Sequence, residues 1–135
     1  TDELLERGDE AWNNKEYERA LEIYWQLAAA VPEQPDYWGK VAAAAFRTGR
    51  NRDAVDALVK AVSLCGNDHK RARKLIAAQM ENNSQSRDLS LLYARFLQKH
   101  YPDDREEIVN AYRNARKYGA QPDGELEKIA GELKK

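Results

Sequence analysis

Two stretches of equal length decide the fold: residues 1–34 read TDELLERGDEAWNNKEYERALEIYWQLAAAVPEQ, and residues 35–68 read PDYWGKVAAAAFRTGRNRDAVDALVKAVSLCGND. A shift of 34 residues aligns identical or mostly apolar pairs: Asp2 with Asp36, Leu4 with Trp38, Ala11 with Ala45, Trp12 with Phe46, Ala20 with Ala54, Tyr24 with Leu58, and Leu27 with Ala61. A period of this length indicates an array of repeated supersecondary units.

Each stretch is predicted to form two amphipathic helices. Apolar residues recur at helical spacing, as in Ala20, Leu21, Tyr24, Leu27 and Ala28. Short turns follow the first helices, at Asn13-Asn14-Lys15 and at Thr48-Gly49-Arg50. Asn or Gly in these turns is expected to take the left-handed conformation that ends a helix. Pro32 and Pro35 are expected to close the first stretch.

The pattern resembles the tetratricopeptide repeat family, whose units carry large and small apolar residues on the first helix and Ala, aromatic, Ala on the second. The matching residues are Leu4, Gly8, Ala11, Tyr17, Ala20, Tyr24 and Pro32 in the first unit, and Trp38, Ala42, Ala45, Gly49, Ala54, Leu58 and Ala61 in the second. The resemblance covers residues 1–68 and implies an all-α, right-handed solenoid of antiparallel helix hairpins. Small residues such as Gly8 and Ala42 predict a close approach between neighbouring helices.

The second half of the chain departs from this motif but keeps helical periodicity. The helices predicted there cover 69–82, 86–101 with Ser86 as N-cap, a segment from Pro102 to Gly119, and a segment from Pro122 to about Lys134. With the four helices of the first half, the sequence predicts about eight.

We expect a single domain over residues 1–135. Its predicted parts are hairpins at 1–34, 35–68 and 69–102 and a terminal helical pair at 103–135. The alternative is a hairpin over 87–119, in which Ile108, Tyr112 and Ala115 belong to the second helix. The first pairing is preferred because it leaves no unpaired helix between residues 69 and 82.

Composition argues against several function classes. The 135 residues are 42% hydrophobic, enough for one core, and 22 Lys and Arg against 23 Asp and Glu leave a net charge of −1. Nucleic acid is therefore not expected as a partner, because no global basic field exists to attract it. The apolar runs are too short to cross a membrane, so we expect a soluble protein without membrane insertion.

No residue pattern predicts catalysis, a metal or a cofactor. His69 and His100 lack a second ligand at metal-binding spacing, and the seven glycines form no phosphate-binding loop. Cys65 is interpreted as a buried small hydrophobe rather than as a nucleophile beside His69. We therefore expect a protein that is not an enzyme.

Two expectations concern the context of the chain. It does not begin with Met and shows no signal-like segment, which favours a domain of a longer or processed chain. A single cysteine excludes an internal disulfide and favours a reducing compartment, cytoplasmic rather than periplasmic.

The resemblance implies a concave groove lined by the first helix of each hairpin, which is the usual binding surface of such arrays. The residues predicted to face it are Asp2, Leu5, Asp9, Trp12, Asn13, Asp36, Phe46, Arg47, Lys70 and Arg73. Acids come first, aromatics follow and cations come last, so a protein or peptide ligand is expected to dock in one polarity. The alternative is that Trp12 and Phe46 pack between hairpins. The acids and the basic run at 69–74 are then ordinary solvated helix starts.

Some tetratricopeptide domains hold the terminal carboxylates of chaperone tails in a clamp of basic and amide side chains. Lys70 and Lys74 match that clamp, but Lys40, Leu5 and Asp9 do not. Because Asp9 would repel a bound carboxylate, chaperone tails are not expected as ligands.

The sequence thus predicts a non-catalytic adaptor or scaffold that binds a protein segment. The alternative is a structural spacer or self-assembly segment of a larger multi-repeat protein, as in a bacterial export or envelope assembly. Such a segment would contact a second copy or neighbouring repeats through residues 122–134.

Overall fold

The computed structural model describes residues 1–134, with side chains described through Glu132. Over that range the chain forms eight α-helices and no strand, which confirms the all-α prediction. The helices are α1 (Asp2–Asn13), α2 (Tyr17–Ala30), α3 (Pro35–Arg47), α4 (Asn51–Leu64), α5 (His69–Met80), α6 (Arg87–His100), α7 (Arg105–Lys117) and α8 (Gly124–Lys134).

The chain divides into two compact units. The first runs from Thr1 to Leu75 and the second begins at Ile76, so the boundary falls within α5. The first unit contains α1 to α4, and the second contains α6 to α8.

In the first unit, helices that follow one another in the chain pack together: α1 on α2, α2 on α3, and α3 on α4. The small residues predicted at the helix crossings are buried, with Ala20, Ala42 and Ala54 fully enclosed. The closest approach is at Gly8, where an added Cβ would lie 2.5 Å from Cε1 and 2.8 Å from Cδ1 of Tyr24. The prediction of close helix contact at Gly8 is therefore confirmed.

The two turns of the first unit have the same backbone geometry. Gly49 takes the left-handed conformation at φ 78°, as predicted. In the first turn Lys15, at φ 62°, takes it instead of either asparagine. The same closing hydrogen bond follows each turn: Glu16 N donates to Ala11 O and Arg50 N to Ala45 O, both at 2.9 Å.

Side chains cap two helix starts, and one of them, Ser86, is the N-cap that the sequence predicts. Ser86 Oγ accepts from Leu89 N at 3.2 Å, and Asp68 Oδ1 accepts from Arg71 N at 3.1 Å. Both side chains satisfy N–H groups that have no partner within the helix.

The prolines are less accurate guides to the helix starts. Pro35 does not close the first stretch but is the first residue of α3, a position that its missing N–H allows. Pro102 and Pro122 precede α7 and α8 and do not begin them. After Pro102, Asp104 N bonds back to Tyr101 O and forms a turn before the helix begins.

In the second unit α6 packs along α7, and α7 contacts α8. Tyr93 on α6 donates its hydroxyl proton to Glu107 on α7, and Asn114 Nδ2 on α7 donates to Ser90 Oγ on α6 at 2.8 Å. Ser90 Oγ also lies 4.0 Å from Met80 Sδ at the end of α5.

The start of α8 is attached to both α6 and α7. Tyr112 Oη donates to Glu127 Oε1 at 2.6 Å and accepts from Asp123 N at 3.0 Å. Arg95 and Gln98 of α6 donate to Asp123 and Glu125, respectively. Among the described side chains of this helix, Leu126 and Ala130 are buried and apolar.

Candidate functional site

The residues predicted to bind a ligand lie on α1, α3 and the start of α5, all within the first unit. Five of them are exposed: Asp2, Asn13, Asp36, Arg47 and Lys70. The other five are half-buried: Leu5, Asp9, Trp12, Phe46 and Arg73. We call this set the α1/α3 surface. Three local contacts within the first unit determine how much of it is available to a ligand.

The first contact is an aromatic and cationic cluster at the ends of α1 and α3. The Trp12 ring meets Tyr17 edge-on, with centroids 5.0 Å apart and planes at 70°. The Arg47 guanidinium lies 5.7 Å from the Trp12 centroid and 5.4 Å from the Tyr17 centroid. The fold therefore brings together Trp12 and Arg47, both candidates from the sequence. Tyr17 was not a candidate, although the short turn after α1 places it close to Trp12.

The second contact holds Asp9. Its Oδ1 accepts from Tyr24 Oη at 2.6 Å and from Lys40 Nζ at 3.1 Å. Lys40 Nζ also lies 5.5 Å from the centroid of the Tyr24 ring. Burial and, next, the hydrogen bond to Asp9 raise the pKa of Tyr24 well above its ordinary value. The Asp9 carboxylate thus has two partners within the protein, although its side chain stays 44% exposed.

The third contact involves Asp36 at the start of α3. Arg71 Nη2 donates to Asp36 Oδ2 at 3.1 Å and to Gln34 Oε1 at 2.8 Å. One cation of the basic run therefore neutralises an acid that was a candidate for ligand binding. Both members of the ion pair are about half-exposed, so its contribution to stability is small. Lys70 and Lys74 remain exposed on α5.

The His, Cys, Asp and Glu residues form no metal cluster in the part of the chain that the structure describes. No group of three or more His, Cys, Asp and Glu residues there could hold a metal ion. Cys65 is buried, as expected, and its Sγ donates to Ala61 O at 3.4 Å. Burial raises the pKa of the Cys65 thiol, which disfavours the nucleophilic thiolate.

Two further findings concern the class of protein. None of the helices described in residues 1–134 is both long enough and apolar enough to cross a bilayer. No family model matches the chain, and no curated protein matches it either.

Proposed function

We propose that this chain is a tetratricopeptide-like interaction module that binds a segment of another protein and carries out no chemistry itself. The ligand is an extended or helical peptide that lies along the α1/α3 surface. The observation that carries the proposal is the cluster of Trp12, Tyr17 and Arg47, in which a tryptophan is ordered by its neighbours but left partly open to solvent.

Such a cluster suits an anchor site for two physical reasons. Trp, Tyr and Arg are the residues most often found at the energetic centres of protein interfaces. Trp12 is also held by contacts with both the Tyr17 ring and the Arg47 guanidinium, so a ligand need not order it on binding. Phe46, half-buried and next to Arg47, would extend the apolar contact along α3.

Charge would give the ligand its direction. Asp9 and Asp36 already have cationic partners, so a basic side chain of the ligand would meet the exposed Asp2 first. An acidic portion would meet Lys70 and Arg73 on α5. Because exposed charges act mainly on association rates and orientation, most of the affinity would come from the aromatic anchors.

The test is affinity capture from a lysate with the wild-type chain and with the Trp12→Ala/Phe46→Ala variant, followed by identification of the captured proteins. Tyr118→Ala is the matched control, because Tyr118 is an exposed aromatic residue of the second unit. Circular dichroism first establishes that all three chains are equally helical.

We expect a partner that wild type and Tyr118→Ala retain and that the double variant loses. Retention of the same partner by all three chains would place the binding site elsewhere. If no chain captures a partner and light scattering shows a concentration-dependent dimer, the self-assembly alternative is favoured instead.

A further inference from the structure

A second surface with binding character lies between α2 and α4 and includes none of the ten residues of the α1/α3 surface. A cavity of about 620 Å³ opens there, and Leu21 and Trp25 supply its apolar residues. Leu21 is buried, whereas Trp25 is 43% exposed and belongs to the few large apolar side chains that the fold leaves open. The proposed adaptor function does not use this tryptophan.

The Trp25 ring is held in place by a second tryptophan. Its centroid lies 5.4 Å from that of Trp38, with the two planes at 88°. Trp38 is itself fixed, because its Nε1–H donates to Pro32 O at 2.9 Å. Lys60 Nζ lies 4.3 Å from the Trp38 centroid, so the Trp38 ring already makes a cation–π contact within the protein. No charged group among the described residues makes such a cation–π contact with the Trp25 ring.

The charged residues around the cavity leave an excess of carboxylate. Arg50 lies 2.9 Å from Glu18 Oε2, and Arg19 lies 3.7 Å from Glu16 Oε2. Both arginines are therefore compensated by acids nearby. Glu22 and Asp53 line the cavity as well, are exposed, and have no ion-pair or hydrogen-bond partner among the described residues. The cavity thus combines an ordered aromatic ring, Trp25, with two carboxylates that have no cationic partner in the described part of the chain, Glu22 and Asp53.

The geometry points to a second binding site, in which the cavity between α2 and α4 takes an arginine side chain of a basic peptide segment. A guanidinium is planar and weakly hydrated, so it stacks on an indole ring while its N–H groups remain available to carboxylates. An acidic or phosphorylated segment is disfavoured by Glu22 and Asp53. This inference concerns residues outside the α1/α3 surface, so either proposal can fail while the other stands.

The test uses an N-acetylated, C-amidated peptide of sequence Gly-Arg-Gly-Arg-Gly, titrated into the ¹⁵N-labelled chain at low salt. The three tryptophans give three indole N–H resonances, and the Trp25→Ala variant identifies the one that belongs to Trp25. We expect a saturable shift of that resonance and little change of the Trp12 resonance. Trp25→Ala should weaken binding about fivefold, as measured by calorimetry.

A charge-matched pair of variants separates a local site from general attraction. Glu22→Gln/Asp53→Asn removes the two uncompensated carboxylates of the cavity, and Asp103→Asn/Glu106→Gln removes two exposed acids that do not line it. We expect the first variant to weaken binding about tenfold and the second to change it less than twofold, because Asp103 and Glu106 affect the peptide only through the overall charge of the chain. Both variants keep the residues of the core, so circular dichroism should show unchanged helicity.

Three results would overturn the proposal. One is an equal loss of affinity in the two charge-matched variants, which would mean non-specific attraction. Another is equal binding of the corresponding Gly-Lys-Gly-Lys-Gly peptide, because stacking of a planar guanidinium would then contribute nothing. The third is the absence of a saturable shift at Trp25, whatever the behaviour of the Trp12 resonance.

Discussion

The two hairpins of the first unit occupy the same repeat positions with different sets of side chains. In the hairpin of α1 and α2, Gly8 and Asp9 face Tyr24, which lies against the first and donates to the second. A shift of 34 residues turns these three positions into Ala42, Ala43 and Leu58. In the hairpin of α3 and α4, Leu58 is fully buried and has no hydroxyl that needs an acceptor.

The difference shows that the residues at these three positions depend on one another, because their side chains are in contact. A tyrosine at the second-helix position requires a glycine, because its ring occupies the space of a Cβ. It also requires an acceptor, because a buried hydroxyl without a partner is costly. A leucine requires neither and allows alanine at both other positions. Single substitutions should therefore break this coupling.

Gly8→Ala should be the most damaging of these changes. The new Cβ would lie within 2.8 Å of two Tyr24 ring atoms, and the ring is buried and cannot move away easily. Overpacking should outweigh the better helix propensity of alanine and lower the free energy of unfolding by about 2 kcal/mol in urea denaturation.

The equivalent position gives the matched control. Ala42→Gly should cost only about 1 kcal/mol, from lost helix propensity and contact. Adding Tyr24→Leu to Gly8→Ala copies the second hairpin and should recover part of the loss. A Gly8→Ala chain as stable as wild type would show that the Tyr24 ring is not confined.

The hydrogen bond between Tyr24 and Asp9 should be measurable by a double-mutant cycle. With Tyr24→Phe, Asp9→Ala and the double variant, we expect a coupling energy of about 1 kcal/mol, typical of a partly buried hydrogen bond. The cycle of Asp9→Ala with Lys40→Ala should give only a few tenths of a kcal/mol, because that ion pair is more exposed. Equal coupling in both cycles would contradict this order.

The same tyrosine predicts a loss of stability in alkali. The pKa of Tyr24 is raised on folding, so above about pH 10 the unfolded chain loses a proton that the folded chain keeps. Stability is therefore fully present below that pH and decreases as the pH rises further. Tyr112 contributes in the same direction, because burial and its bond to Glu127 raise its pKa as well.

Urea unfolding at pH 9 and at about pH 11 measures this loss. Tyr24→Phe/Tyr112→Phe should be less stable than wild type at the lower pH but should lose less between the two. Tyr118→Phe controls for the removal of one phenol group. A loss of the same size in the double variant and in wild type would exclude the two tyrosines as its source.

Small effects of opposite sign should come from the two turns, where Lys15 corresponds to Gly49. A left-handed conformation is unfavourable for lysine, so Lys15→Gly should raise the free energy of unfolding by about 0.5 kcal/mol. Gly49→Lys should lower it by about 1 kcal/mol. No atom lies within 4 Å of a Cβ added at Gly49, so sterics do not complicate the result. Changes of the opposite sign would mean that interactions of the Lys15 side chain determine that turn.

The sequence predicts the helices well because their determinants are local. Apolar spacing and capping residues such as Ser86 act within a few residues of one another, so they can be recognised without a structure. Helix starts near Pro102 and Pro122 are placed too early, because a proline suits the turn before a helix as well as its first residue. The identity of the left-handed residue in the first turn also depends on the closing bond from Glu16 to Ala11.

The candidate site was less predictable because its contacts cross between helices. The sequence shows that Trp12, Arg47 and Asp9 lie at first-helix positions. It does not show that Arg47 lies beside the Trp12 ring, or that Lys40 and Tyr24 already bind Asp9. The sequence does not predict the cavity beside Trp25, because its residues come from two helices and match no short motif.

The contacts that hold α8 also determine how often this helix detaches from α6 and α7. A helix of 11 residues with several charges is only marginally stable by itself in water. Its persistence depends on the packing of the buried Leu126 and Ala130 and on hydrogen bonds from Tyr112 of α7 and from Arg95 and Gln98 of α6. The rate at which the amide protons of α8 exchange with deuterium therefore reports how often the helix undocks rather than how strongly it coils.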